Sequence, residues 1–183
     1  MGPIAEAAPF LIADYNNAVA FTLRDFRPED FETLWAIDQK CFVAGIAYSR
    51  RELSAYMRRR GAFTIVAENS RAEGEANPGS AATAGFIVAE ISRRYTGHII
   101  TIDVLPEHRR SGLGSKLLAA AEDRLRTAGC RNIELEAAVN NLSAIAFYKR
   151  HGYYIVATRS HYYPGGLDAF ALQKYVKPAP RPR

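Results

Sequence analysis

The chain has 183 residues, 48% hydrophobic and 23% charged, the balance of a globular protein rather than a disordered or fibrous one. Its 24 Lys and Arg against 19 Asp and Glu leave a formal charge of +5, mild and partly held in one terminal tail, so no nucleic-acid partner is demanded. The two cysteines, Cys41 and Cys130, form no CxxC, which excludes a disulfide framework and suits a reduced, cytoplasmic protein, and no run of about 18 apolar residues offers a membrane span.

Residues 1–19, rich in Ala with Pro3 and Pro9, read as an N-terminal extension, and the absence of Lys and Arg there argues against a signal peptide. Alternation over Ala20 to Phe26 predicts a first strand. Pro28, followed by Glu29 and Asp30, opens a helix to about Cys41 with Phe31, Leu34, Trp35 and Ile37 on its apolar face. Ser49 and Glu52 form a capping box for a second helix, which the spacing carries to Arg60; the cations of Arg58, Arg59 and Arg60 then sit at its C-terminal end.

Strands are predicted over 62–68, 85–94 and 96–105, the first two separated by a Gly- and Pro-containing loop. A helix follows from Gly112 to Ala128, then a strand over 131–138, a short helix over 141–151, and closing strands over 153–160 and 168–176. The tail, 177–183, is Pro-rich and basic and reads as disordered. A strand, a crossover helix and a strand between 98 and 138 require a parallel pair, so the expected domain, 20–176, is α/β with a mixed sheet.

The most informative segment is TIDVLPEHRRSGLGSKLL, where a strand ends and Gly112 and Gly114 open a helix. Freed amides at a helix start, with the helix dipole, suit a phosphate, and Arg109 and Arg110 add charge. The dinucleotide pattern GxGxxG fails at Leu117, and the triphosphate loop fails because Lys116 follows Ser115. What remains is Arg109-x-x-Gly112-x-Gly114, which is also compatible with a plain glycine-rich turn.

This segment resembles the pyrophosphate loop of the GNAT superfamily of N-acetyltransferases. Asn141, Ala144-Ile145, Phe147-Tyr148 and Gly152-Tyr153 are similar to the family's following helix, and HYYPGGLDAFALQKYV is similar to the closing hairpin of its RimI-type, protein N-terminal branch. The resemblance implies the GNAT fold: a mixed sheet whose parallel strands splay, flanked by about four helices. It implies acetyl-CoA in the V-shaped gap near Val104 and Glu136, its pyrophosphate on the amides of Arg109, Arg110, Ser111, Gly112, Leu113, Gly114 and Ser115, and its arm near Asn141.

By the same resemblance Tyr148 faces the thioester sulfur as general acid, and Glu136 is the general base. Phe42, Tyr48, Tyr162 and Tyr163 would wall the acceptor site. The acceptor implied is a peptide or protein N-terminus, a ribosomal protein being one candidate. A small amine or a lysine is the alternative, and a silent acyl-CoA-binding module the remote one. Bacterial relatives often carry Pro-Trp where this chain has Gly45-Ile46-Ala47, and an arginine where it has Ala138.

Read from spacing alone, Tyr148 could be a core aromatic, Tyr162 and Tyr163 simple packing, and Glu134 with Glu136 a solvated strand face. If that strand is central, however, Glu136 needs a cavity or a partner. His98, His108, His151 and His161 lack ligand spacing, so no metal site is expected. His151, near a helix C-terminus, reads as a dipole partner.

Overall fold

The computed structural model describes residues 21–69, 82–92 and 95–177. The expectations for the N-terminal extension, most of the polar loop after Glu68 and nearly all of the basic tail lie outside the described residues. The elements run β1 (Phe21–Asp25), α1 (Phe31–Cys41), α2 (Arg50–Met57), β2 (Ala62–Asn69), β3 (Ala82–Ile91), β4 (Thr96–Val104), α3 (Leu113–Thr127), β5 (Asn132–Ala138), α4 (Leu142–Arg150), β6 (Tyr154–Tyr163) and β7 (Leu167–Tyr175).

Local chemistry sets the helix starts. The Ser49 side chain accepts the Glu52 amide while the Glu52 carboxylate accepts that of Ser49 at 2.9 Å, the expected capping box. Gly112 holds φ +85 as N-cap of α3, and Asn141 Oδ1 accepts the Ala144 amide to start α4. The second helix stops at Met57, so Arg58 is its C-cap and Arg59 and Arg60 lie beyond it. Arg59 instead lies over the Tyr56 ring and bonds Glu90. β3 starts three residues before its apolar run and runs to Ile91, positions 93 and 94 of the expected strand lying outside the described residues, and β6 runs on to Tyr163.

The strands form one sheet in the order β1-β2-β3-β4-β5-β7-β6, antiparallel except for β4 and β5. Two apolar clusters sandwich it. One joins Leu113, Leu117, Leu118, Ala121 and Leu125 of α3 and Ile145 and Tyr148 of α4 to Ile87, Ile133, Leu135 and Leu172 of the sheet. The other sets Leu34, Ile37 and Leu53 of α1 and α2 on Val66, Phe86 and Val88.

The middle of the sheet is tightly spaced. A Cβ added to Gly85 on β3 would stand 2.4 Å from the Asp103 carbonyl oxygen and 3.2 Å from Val104 Cα. Because backbone cannot swing aside, Gly85→Ala is expected to lower stability by about 1–3 kcal/mol in urea unfolding.

Candidate active site

The parallel pair that organises the site is short. β4 and β5 are in register only at Thr96↔Asn132, Gly97↔Ile133 and His98↔Glu134. Beyond His98 the strands part, helped by a bulge. The pairs Ala89↔Ile99 and Val88↔Thr101 leave Ile100 as an extra residue, and bulges bend the strand that carries them. A cavity of about 710 Å³ fills the resulting V.

Val104, Arg109, Arg110, Gly112, Gly114, Ser115, Glu136, Asn141, Phe42, Tyr48, Tyr148 and Tyr163 all line that cavity. Two residues of the glycine segment do not. Leu113 is fully buried in the core and its amide donates to Ser111 Oγ at 3.4 Å, while the Ser111 hydroxyl donates to the His108 carbonyl at 2.7 Å, so both side chains are engaged within the protein. Gly114 and Ser115, in the first turn of α3, have amides with no intrahelical acceptor, which leaves a donor pair at the positive end of the helix. The Arg109 Nε donates to the Val104 carbonyl at 3.0 Å and closes the strand end. Asn141 spends its Oδ1 on the helix cap, leaving its amide nitrogen as the donor available to the cavity. His151, the C-cap of α4, holds the Phe147 carbonyl through Nδ1 at 2.8 Å and Ser115 Oγ through Nε2 at 3.0 Å, so it ties α4 to α3.

The loop between α1 and α2 is fastened through Tyr48. Its amide donates to Asp38 Oδ2 at 2.8 Å, its carbonyl accepts Gln39 Nε2 and Trp35 Nε1, and its hydroxyl donates to the Ile100 carbonyl. Asp38 and Asp103 are both fully buried, and one oxygen of each lacks a partner in the structure. Burial pushes Asp38 up to about 6. It raises Asp103 well above the usual carboxylate range, and the nearby Asp38 charge adds to the rise.

Glu136 is central and paired. Its carboxylate meets His98 Nε2 at 2.8 Å and accepts Arg159 Nε at 3.1 Å. Burial pushes its pKa up, but the His98 hydrogen bond and the charges of His98 and Arg159 outweigh this, and the net direction is down. His98 moves the other way. Burial lowers it, while the bond to Glu136 and the charges of Glu136, Glu90 and Glu134 carry it above its ordinary value. Neither partner is signalled by the sequence pattern. His98 lies on the adjacent strand and Arg159 on β6, and only the β4–β5 register brings the histidine across. The cation beside Glu136 thus comes from β6, with Ala138 further along β5.

A smaller cavity of about 30 Å³ adjoins the pair, lined by Tyr48, Tyr56, His98, Ile100, Glu136, Tyr162 and Tyr163. Burial raises the phenol pKa of Tyr48 and Tyr162, and that of Tyr163 to about 12. Tyr148 is buried among Phe147 and Tyr153, and its phenol too is raised by burial. All four stay protonated at neutral pH. Among the described residues no cluster of His, Cys, Asp and Glu is arranged to hold a metal, and no helix is long and apolar enough to cross a membrane.

A seven-stranded mixed sheet split beside a glycine-opened helix is the architecture of an acetyltransferase. Residues 19–153 match the Acetyltransferase (GNAT) family, and the chain belongs to it. It is 37% identical over 100 residues to N-alpha-acetyltransferase MAK3 of Arabidopsis thaliana, covering 53% of this chain and 52% of that one, so it spans about half the length of that relative. An N-alpha-acetyltransferase of Saccharolobus solfataricus is 26% identical over 89% of this chain and 98% of its own. Among solved structures, Ard1 from Thermoplasma volcanium superposes with a TM-score of 0.74 at 27% identity, over 86% of this chain and 99% of that one.

Proposed function

We propose that the chain is an acetyl-CoA-dependent N-acetyltransferase whose acceptor is the N-terminal α-amine of a peptide or protein. The observation that carries this is the placement of the Glu136–His98 pair and Tyr148 on one cavity or its annex, beside the exposed amides at the start of α3. The names of the Arabidopsis and Saccharolobus relatives support the choice of an N-terminal amine. The two unpaired thiols suit a cytoplasmic location.

The chemistry divides among the chain's own residues. The Gly112 to Ser115 turn and the two arginines would bind the pyrophosphate, and Asn141 the arm. The neutral amine attacks the thioester carbonyl carbon, the C–N bond forms, and the C–S bond breaks. The amine's surplus proton passes to the Glu136–His98 pair, directly or through one water. The departing thiolate takes the Tyr148 proton, which burial keeps on the phenol until that moment. An α-amine with pKa about 8 is roughly a fifth neutral near pH 7.4, whereas a lysine at about 10.4 is neutral only about once in a thousand. A carboxylate whose pKa is lowered is a weak base and suits the first acceptor, which is already partly neutral.

The test is CoA release across peptides that differ in their first residue, including an N-terminal alanine, with N-terminally blocked peptides carrying a lysine and a few polyamines as controls. Turnover confined to free N-termini is the expected result. Turnover on the blocked peptides or polyamines overturns the acceptor, and tight acetyl-CoA binding without any turnover overturns the catalytic reading.

A further inference from the structure

In a regular strand neighbouring side chains point to opposite faces, yet Tyr162 and Tyr163, consecutive in β6, both line the small cavity beside Glu136. The register explains how. The pairs Arg159↔Ala169 and Tyr163↔Leu167 leave Ser160, His161 and Tyr162 opposite the single residue Asp168. His161 takes up the surplus by adopting φ +55, a left-handed conformation that few residues other than glycine visit. Its amide, turned out of the ladder, donates to Asp168 Oδ1 at 2.8 Å. The Asp168 carbonyl accepts the Val139 amide at 3.1 Å, just past the end of the strand that carries Glu136. The two tyrosine rings then stand edge to face, 5.0 Å apart.

We infer that Asp168 and the left-handed backbone at His161 are positioning residues for the acceptor: together they hold a bulge that turns Tyr162 to the same side as Arg159 and Tyr163, so that one hairpin presents three side chains to the amine-bearing end of the substrate. The inference deepens the proposed function and rests on its reading of this cavity as the acceptor's. The His161 side chain has no part in it; the backbone conformation does.

Four variants separate these elements. Asp168→Ala removes the acceptor oxygen and Asp168→Asn keeps one. His161→Val penalises the left-handed backbone and His161→Gly favours it. Losing one hydrogen bond, or forcing a β-branched residue into positive φ, corresponds to about a tenfold effect. The expected result is an acceptor-peptide KM raised about tenfold in Asp168→Ala and His161→Val, with the KM for acetyl-CoA unchanged and both conservative variants near wild type. Amide hydrogen exchange at His161, followed by NMR, should speed up in Asp168→Ala and not in Asp168→Asn. Equal behaviour of the two His161 variants, equal loss in both Asp168 variants, or a loss falling on the acetyl-CoA KM overturns the inference. If no peptide is acetylated at all, the functional reading fails while the exchange measurement still decides whether Asp168 holds the bulge.

Discussion

Glu136→Gln is expected to lower kcat/KM by about 10²- to 10³-fold, the range of a lost acid–base group. Glutamine keeps the shape and accepts from Arg159, but it cannot take a proton. The same substitution acts on His98, whose raised pKa depends on the carboxylate 2.8 Å away. Followed by NMR, the His98 ring should titrate above 6.5 in the wild type and at lower pH in the variant. The direction has a counterpart in folding. A raised His98 contributes stability that is complete below its ordinary 6.5 and is lost as pH rises through its folded value. A lowered Glu136 contributes stability that is complete above its ordinary 4.5 and is lost as pH falls through its folded value. Between those ordinary values both contributions are present, and Glu136→Gln should remove that plateau from the pH dependence of unfolding. An unchanged kcat/KM would assign the proton to another group.

Tyr148→Phe is expected to lower kcat by about 10²- to 10⁴-fold with little change in the affinity for acetyl-CoA. The ring keeps its packing against Phe147 and Tyr153, so the fold is preserved and only the departing thiolate loses its donor. Because burial raises this phenol, it stays protonated across the working range, and the variant should change the height of the pH–rate profile but not its midpoints. Stopped-flow measurement of the acyl-transfer step makes the comparison. A variant as fast as the wild type would mean that water serves as the donor.

Much of this was legible in the residues because the signals are local. Ser49 with Glu52, Asn141 before Ala144, and the glycines at 112 and 114 each specify a helix start within a few positions, and the structure places a helix at each. Glu136 could be recognised as needing a partner, since a carboxylate on a central strand must have one. Its partner could not. His98 meets it through a parallel register, and parallel register is set by packing across a crossover rather than by any turn between the two strands. The bulges were hidden for a related reason. Alternation assumes one residue per rung, whereas Ile100 and the stretch Ser160 to Tyr162 break that count in response to the strands opposite. The ends of β3 and α2 also moved: pairing with β2 recruited Ala82 and Thr83, and α2 stops at Met57, leaving Arg58 as its C-cap while Arg59 turns to Tyr56 and Glu90.

The three-rung join between β4 and β5 has a mechanical meaning. It divides the sheet into two plates, β1 to β4 and β5-β7-β6, stitched at one end only and otherwise held by the helices packed across them. Such a seam is where the native state opens at least cost, ahead of either plate's own hydrogen bonds. A molecule carrying amides of its own along the gap would act as a missing rung and close it. Its binding would then be felt as cohesion of the whole sheet, amounting to about 2.7 kcal/mol at a hundredfold excess over its dissociation constant. The protein would be least rigid when that gap is empty.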